Sequence, residues 1–274
     1  MNRVLSLNRV TGPAAEPIDV ERAKQHLRID HDHEDEYIGG LITAARAHAE
    51  TYRSEIFVTQ KFELILDRFP PGREDITIPY HPLVSVASVV YVATDGTSTT
   101  FSTSKYTVAN KHKPGIVALA ADEQWPTTQH VVDAVTITFI AGHATPCSVS
   151  VSGDTLTPTG RSFTAAEIVR LSVSGGSDRT LPTPFKVLTD YFISAPNGTV
   201  QLAATSGGSA ITIAAAGAGQ VFIGEIPEHV AQGMLIMIAH WYENREPNII
   251  GTNIMPIPKS ADYLLDVGKV FQVA

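Results

Sequence analysis

The stretch from Ile226 to Glu246, near the end of the chain, has a strong helical periodicity. Its apolar residues recur at three- and four-residue intervals, which places them on one stripe of a helix. That stripe contains Ile226, Val230, Met234, Met237, Ile238 and Trp241. Pro227 suits a first helical turn, and Pro247 cannot continue the helix. A stripe this wide predicts a largely buried helix, which needs a second apolar helix to pack against.

The best candidate for that second helix lies far upstream, from about Glu34 to Ile56. Its apolar face contains Ile38, Leu41, Ile42, Ala45, Ala49, Tyr52 and Ile56. A shorter helix precedes it, with Asp19 as the predicted N-cap. We expect the two long helices to pack together and to supply core or subunit-interface residues. The predicted residues are Ile38, Leu41, Tyr52, Met237, Trp241, Tyr242, Glu243 and Arg245.

Between these helices the apolar period changes from helical to two, which indicates β-strands. The predicted strands are 62–66, 76–78, 84–92, 101–108, 115–119 and 134–140, after an extended lead-in over residues 1–17. Asp95-Gly96 is a hairpin signal between two of these strands. Antiparallel strands together with a helical core predict the α+β class.

The composition changes at Gly142, after which residues 144–223 are rich in Ser, Thr, Gly and Ala. Strand-like runs occur at 148–151, 168–173, 187–194, 199–203, 210–213 and 220–223. We therefore predict a small all-β domain over 144–223, inserted into a core formed by 1–143 and 224–274. Such insertions are tolerated where the two ends lie close together.

Charge and composition exclude several classes of function. The chain has 274 residues and a net charge of −8, which argues against general affinity for nucleic acid or anionic membranes. No run of apolar residues is long enough to span a membrane, and the N-terminal residues do not form a signal peptide. With a single cysteine, Cys147, the chain has no disulfide framework, and we expect synthesis in the cytoplasm. Cys147 itself is interpreted as a small, partly buried residue.

Two groups of residues could hold a metal or act in acid–base chemistry. Residues 31–36 read HDHEDE, but they lack EF-hand spacing, and His31 and His33 diverge on a helix. The alternative interpretation is acidic residues that favour a helix N-terminus. His240, Glu243 and Glu246 have helical spacing, but we interpret His240 as a capped or interhelical histidine and the two glutamates as polar interface contacts. No catalytic motif is present, so we predict no enzyme activity, no metal and no cofactor.

After Pro247 the sequence predicts an irregular linker and then a short helix capped by Ser260. Tyr263, Leu264 and Val267 would share one side of this helix. The chain then ends in the apolar residues FQVA, which we expect to dock on another protein chain.

Several segments together resemble the head–tail connector proteins of tailed bacteriophages, which are also called adaptor or head-completion proteins. The segments follow one another in the same order as in that family. They are EPIDVERAKQHLRID, HEDEYIGGLITAARAHAETY, TQKFELILDRFP, IPYHPLVSVASVVYV, AVTITFIAGH and IPEHVAQGMLIMIAHWYENRE. The resemblance covers residues 16–143 and 224–270. Residues 144–223 depart from it, because the usual member passes almost directly to the late helix.

This resemblance implies a structural protein of the virion neck. Members form rings of about twelve subunits below the portal, extend the DNA channel and offer a platform to the next tail-side protein. The genome would pass through the lumen without specific binding, which the acidic net charge would favour. The C-terminal arm would contact the portal through Tyr263, Leu264, Leu265, Val270 and Phe271. We expect the 144–223 insert to project away from the DNA path.

Two other functions compete with this expectation. The insert could be a binding module for a glycan or a host surface, with Phe163, Phe185, Tyr191, Phe192 and Phe222 as candidate aromatic platforms. Alternatively, His31, His33, His240 and Glu243 could form a metal-dependent hydrolase site.

Overall fold

A computed structural model describes residues 4–174, 179–196, 198–245 and 259–269. Helices and antiparallel sheets are both present, which is consistent with the predicted α+β class. The described chain divides into two compact units. One comprises residues 4–13 and 54–142, and the other comprises 14–53 and 143–269. The predicted boundary at 144–223 does not coincide with this division and stays a prediction.

The first unit contains two antiparallel sheets. Its strands are β1 (Val4–Thr11), β2 (Gln60–Leu66), β3 (Ile76–Ile78), β4 (Leu83–Val92), β5 (Ser98–Thr100), β6 (Tyr106–Ala109), β7 (Gly115–Leu119) and β8 (Val135–Ala141). The larger sheet has the order β1-β2-β8-β4-β5, and the smaller one has the order β3-β7-β6.

The core of this unit is built on the alternation that the sequence shows in β2 and β8. In both strands every second side chain is buried, as expected for a sheet with one face on the core. The register pairs Phe62 with Phe139, and their rings stack with centroids 5.5 Å apart. Aromatic cross-strand pairs of this kind help to fix strand register.

Two parts of this unit differ from the sequence-based prediction. The lead-in contains a true strand, β1, which pairs with β2 along the sheet edge. The predicted strand 101–108 is interrupted by a 3-10 turn at Thr103–Lys105, where the Ser102 hydroxyl accepts a hydrogen bond from the amide of Ser104. Such local side-chain caps compete with strand pairing. The remainder, β6, joins the smaller sheet instead.

The second unit contains four helices within the described residues. They are α1 (Val20–Leu27), α2 (Asp35–Arg53), α3 (Glu228–Glu243) and α4 (Lys259–Asp266). The predicted N-cap of α1 is confirmed, because the Asp19 carboxylate accepts a hydrogen bond of 2.8 Å from the amide of Arg22. α2 ends three residues before the predicted Ile56, since Ser54 adopts a left-handed conformation with φ of 53°. Ile56 therefore lies outside the α2 stripe.

The bounds of α3 also differ slightly from those expected. Pro227 is the N-cap residue rather than part of the first turn, and the helix ends at Glu243. Glu246, which the sequence placed in this helix, lies outside the described residues.

The same unit contains a seven-stranded antiparallel sheet. Its strands are β9 (Thr145–Ser150), β10 (Thr155–Pro158), β11 (Ile168–Val169), β12 (Leu171–Ser174), β13 (Tyr191–Pro196), β14 (Val200–Ala203) and β15 (Gln220–Ile223). The order is β11-β13-β14-β10-β9-β15-β12. β11 and β12 are the two edges of this sheet, yet they are separated in sequence only by Arg170. The sheet must therefore curl until its edges almost meet, which gives a nearly closed, barrel-like form.

Three predicted strands in this region are wrong in detail. The run 168–173 is two strands on opposite edges rather than one. The strand predicted at 187–194 begins only at Tyr191, because Leu188 has a φ of 56° and is exposed. The run 210–213 contributes an isolated bridge between Ala203 and Ala210 instead of a strand.

Gly142, directly after β8, provides a test of backbone packing in the first unit. Its φ is 147°, and a Cβ atom there would lie 2.5 Å from the Cα atom of Thr59. We expect Gly142→Ala to lower the free energy of unfolding by about 3 kcal/mol, because both backbone strain and overpacking act there. Urea denaturation measures this change.

Gly72 is the matched control, because it has a φ of 60° but a Cβ atom there would have no neighbour within 4 Å. Gly72→Ala should therefore cost only about 1 kcal/mol, from backbone strain alone. Equal losses in the two variants would show that the close approach to Thr59 is not what requires glycine at position 142.

Candidate functional site

The residues predicted to build a subunit core or interface lie in the helical cluster of the second unit, defined as α1 to α4. α2 contacts α1, α3 and α4, and α3 also contacts α1 and α4. The buried stripe of α3 faces that of α2. The buried apolar residues are Ile38, Ile42, Ala45 and Ala49 on α2, and Val230, Ala231, Met234, Leu235, Met237 and Ile238 on α3.

The predicted core and interface residues fall into three levels of burial. Ile38 and Met237 are fully buried. Four residues are half-buried, namely Leu41, Tyr52, Trp241 and Tyr242. Glu243 and Arg245 are exposed. Whether the half-buried and exposed residues contact another subunit stays a prediction.

The acidic stretch at the start of α2 is joined to the end of α3 by a group of four residues. The carboxylate of Glu34 accepts hydrogen bonds from the Tyr242 hydroxyl and from Nη2 of Arg245, the latter at 2.6 Å. The Arg245 guanidinium lies over the rings of Tyr37 and Tyr242, at 4.5 and 4.6 Å from the centroids. Tyr242 and Arg245 hold the pKa of Glu34 below its usual value, so the carboxylate is ionised at neutral pH. We call this group the Glu34 lock.

The other acidic residues of this stretch pair with α1. Nζ of Lys24 lies 2.5 Å from Oδ1 of Asp32 and 3.0 Å from Oδ1 of Asp35. These carboxylates raise the pKa of Lys24. His31 and His33 lie near each other, with ring centroids 5.6 Å apart. Among the described residues, no group of three His, Cys, Asp or Glu side chains is placed to hold a metal ion. The pairing with Lys24 and Arg245 accounts for the acidic stretch without a metal.

A buried ion-pair network holds the segment before α1 against the middle of α2. Nε of Arg46 lies 2.7 Å from Oε2 of Glu16, and Nη1 lies 2.9 Å from Oε2 of Glu50. The hydroxyl of Thr43 also donates to Glu16, at 3.1 Å. Although burial opposes it, pairing with Glu16 and Glu50 raises the pKa of Arg46. The charge is thus fully paired where it is buried.

The predicted portal-contacting helix, α4, packs on α2 and α3 of its own chain. Ala261 and Leu265 are fully buried. A Cβ on Gly233 of α3 would lie 3.3 Å from Cγ of Leu265, so the absence of a side chain there allows the close approach. Arg53 donates to the backbone carbonyls of Leu265 and Val267, the latter at 2.9 Å.

The end of α2 adds two further contacts to α4. The Tyr52 hydroxyl donates to Oδ1 of Asp266 at 2.7 Å, which raises the pKa of Tyr52. Nζ of Lys269 lies 3.4 Å from the centroid of the Tyr52 ring.

The structure shows which side of α4 packs on the rest of the chain. The sequence placed Tyr263, Leu264 and Val267 on one side of this helix, and the packed side is formed by Ala261 and Leu265. Tyr263 is 70% exposed, Val267 is 51% exposed and Leu264 is half-buried. Ser260 lies inside the helix rather than capping it. Val270 and Phe271, also predicted to contact the portal, lie outside the described residues.

Among the residues considered for other functions, Cys147 is buried, whereas His31 and His33 are exposed. Burial raises the pKa of Cys147 to about 12, and its thiol donates to the carbonyl of Val221 at 3.4 Å. That thiol is therefore not a nucleophile at neutral pH. Glu243 is exposed, and the carbonyl of His240 accepts a hydrogen bond from Asn244 at 2.8 Å. The region that the structure describes contains no helix long and apolar enough to cross a membrane.

Most of the aromatic residues proposed as a glycan platform are buried. Four of them are less than a tenth exposed, namely Phe163, Phe185, Tyr191 and Phe222. Phe192 is half-buried. A sugar platform requires exposed ring faces, and these side chains do not provide one.

Residues 17–108 match the model of a family described as phage gp6-like head-tail connector proteins. The matched segment includes α1, α2, β2 to β5 and all but the last residue of β6. It confirms the resemblance that the sequence segments showed.

Solved structures of gene transfer agent (GTA) particles share the fold over nearly the whole chain. A protein in the neck of an empty GTA particle, computed with C6 symmetry, aligns with a TM-score of 0.57 at 17% identity. A protein in the virion of a native GTA particle aligns with a TM-score of 0.56, also at 17% identity. Each alignment covers 98% of both chains. No curated protein matches the chain.

The Glu34 lock predicts a pH dependence of stability. A carboxylate whose pKa is lowered by folding stabilises the folded state above its ordinary pKa of 4.5, and this contribution is lost as the pH falls through the lowered pKa. We expect Glu34→Gln to lower Tm at pH 7. The difference in Tm between this variant and the unsubstituted chain should disappear as the pH is lowered below 4.5, the ordinary pKa of the carboxyl group. Thermal denaturation between about pH 7 and pH 3 measures it.

Glu36→Gln is the control, because Glu36 lies exposed in the same first turn of α2. At neutral pH this variant should lose less Tm than Glu34→Gln does. If Glu34→Gln lowered Tm by the same amount at every pH, the Glu34 lock would be contradicted.

Proposed function

We propose that this chain is a structural head–tail connector in the neck of a tailed phage or gene transfer agent particle, with no enzyme activity. The observation that carries the proposal is the family match over residues 17–108. The shared fold with proteins of GTA particles, over 98% of both chains, supports it.

In this proposal, about twelve copies form a closed ring on the portal and extend its channel. Necks of GTA particles have been computed with C6 and with C12 symmetry, and the latter is compatible with twelve copies. Repeating one head-to-tail contact around a rotation axis closes such a ring. The net charge of −8 suits a channel through which DNA slides, because cationic walls would bind its phosphates. The opposite face would receive a tail-side stopper or tail-completion protein.

The incompletely buried side chains of α2 and α3 are the proposed contacts between neighbouring subunits. Leu41 and Trp241 are half-buried although apolar, so a neighbouring copy can still cover them. Tyr242, Glu243 and Arg245 continue this surface with residues that can form hydrogen bonds. Aromatic and arginine side chains are enriched in protein interfaces, which fits this composition.

The test is to co-express the chain with the portal protein encoded in the same gene cluster and to measure the mass of the complex. We expect about twelve copies bound to each portal ring, visible as an added ring in electron micrographs. The chain alone and the portal alone serve as controls. Failure to bind the portal, or binding as a single copy, would overturn the proposal.

We further propose that residues 144–223 form a peripheral insert of this connector. Thr145 and Ile223 are direct antiparallel partners, so the two ends of the segment lie side by side. The sheet also has its own apolar core. This core contains Cys147, Leu156, Phe163, Val169, Leu171, Phe185, Tyr191, Ile193, Val200, Leu202, Ile213, Val221 and Ile223.

A shortened chain tests this placement. Residues 148–220 are replaced by Asn-Gly, which suits a two-residue hairpin between the paired residues Cys147 and Val221. Cys147→Ser and Val221→Thr are added, because both side chains would lose their apolar surroundings. We expect the helical circular dichroism signal and ring formation on the portal to persist. A folded variant that no longer forms the ring would show that the insert takes part in subunit contacts.

A further inference from the structure

The hairpin between β6 and β7 concentrates positive charge at its tip, although the chain as a whole has a net charge of −8. We define the tip as residues 110–113, which are Asn110, Lys111, His112 and Lys113, and all four are exposed. Within the described residues, neither Lys111 nor Lys113 takes part in a salt bridge, whereas Lys105, just before β6, pairs with Glu123 at 3.2 Å. The charge of the tip is therefore not neutralised by the chain's own carboxylates.

The strands that carry this tip are fixed on the core of the first unit. β6 and β7 pair along the whole of β6. Gly115, the first residue of β7, is buried, and a Cβ atom there would lie 2.5 Å from Cδ2 of Leu83, so β7 packs closely on β4. The side-chain amide of Asn110 donates to the carbonyl of Val84, also in β4, at 3.3 Å. The two lysines therefore project from a base that is held in place.

The composition of the tip indicates which class of partner it fits. Interfaces between proteins are built on buried apolar, aromatic or arginine side chains, and lysine is depleted from them. Residues 110–113 include no large apolar side chain and no arginine, but they include two lysines. Lysine is a compact cation that suits phosphate groups, and the DNA backbone is bound mainly by such charges. A phosphate backbone therefore fits this tip better than a protein surface does.

We infer that the tip binds the phosphate backbone of DNA in the assembled particle, through Lys111 and Lys113. This inference rests on the proposed connector function and names the residues that the passing genome would contact. Contacts to phosphates carry no sequence information, so the tip would accept any genome sequence. Because the rest of the chain is acidic overall, the attraction would be confined to the tip and the remaining surface would repel the duplex.

Repetition of the tip around the proposed ring makes a weak contact effective. Two lysines neutralise only a few phosphates, which by itself gives weak and rapidly broken binding. In a ring, the tips of all copies act on one duplex, and their combined affinity exceeds that of any single tip. Each contact still breaks independently, so the duplex remains held while it slides.

The test measures DNA binding by the complex of this chain with the portal protein of the same particle. The probe is a fluorescein-labelled duplex of about 30 base pairs, titrated at several salt concentrations and followed by fluorescence anisotropy. The double variant Lys111→Gln, Lys113→Gln should lower the affinity about tenfold or more at about 50 mM salt. Its affinity should also fall less steeply as salt is added, because fewer counterions are released on binding. The portal alone gives the background.

The matched control is Arg179→Gln with Lys186→Gln, which removes the same number of charges from exposed residues of the proposed peripheral insert. Its affinity for the duplex should stay within about twofold of that of the unsubstituted complex. Ring formation on the portal is measured for every variant by mass and electron microscopy, and we expect it to persist in both.

Four results would overturn the inference. Equal DNA affinity with and without the lysines of the tip, in complexes that still form the ring, would reject the DNA contact and leave the connector function standing. Equal losses in the tip variant and the control would show that only overall charge matters. A folded tip variant that no longer forms the ring would show that the tip contacts protein instead. Failure of the unsubstituted chain to bind the portal would overturn the connector function itself, and the inference with it.

Discussion

Charged side chains along α2 join segments that are distant in the sequence, and the helical cluster depends on these contacts. Glu34, just before the first turn, is bound by Tyr242 and Arg245 from the end of α3. In the middle, Arg46 pairs with Glu16 from the preceding segment. At the last turn, Arg53 donates to the end of α4. Because a buried or partly buried charge is stabilised only when it is paired, each contact fixes one partner segment against α2.

The apolar stripes of these helices could be predicted from the sequence, but the polar contacts between them could not. The periods that predicted the stripes of α2 and α3 are local, so they can be read from consecutive residues. The partners of Glu34, by contrast, come from more than two hundred positions downstream. No spacing rule connects them, and HDHEDE could only be interpreted as a metal candidate or a helix start. The helical part of the candidate site was thus predictable, whereas the contacts that fix it required the tertiary structure.

The errors in the predicted strands also arise because the local sequence does not show tertiary contacts. Residues 168–173 were predicted as one strand, because nothing local shows that Arg170 separates the two edges of a curled sheet. Leu188 is apolar and was predicted to lie in a strand. Its backbone is left-handed, however, and the strand begins only at Tyr191. Where alternation and pairing agree, as in β2 and β8, the predicted strands lie within a residue or two of the observed ones.

The position of α4 shows how packing can reverse the functional interpretation of a helix. In the sequence, Tyr263, Leu264 and Leu265 are adjacent large residues, all equally suited to contact a partner. In the structure Leu265 packs against the glycine at position 233, whereas Tyr263 stays exposed. A helix anchored by one face and apolar on the other is already ordered before it meets a partner. A partner that contacts such a face loses little conformational entropy from this helix.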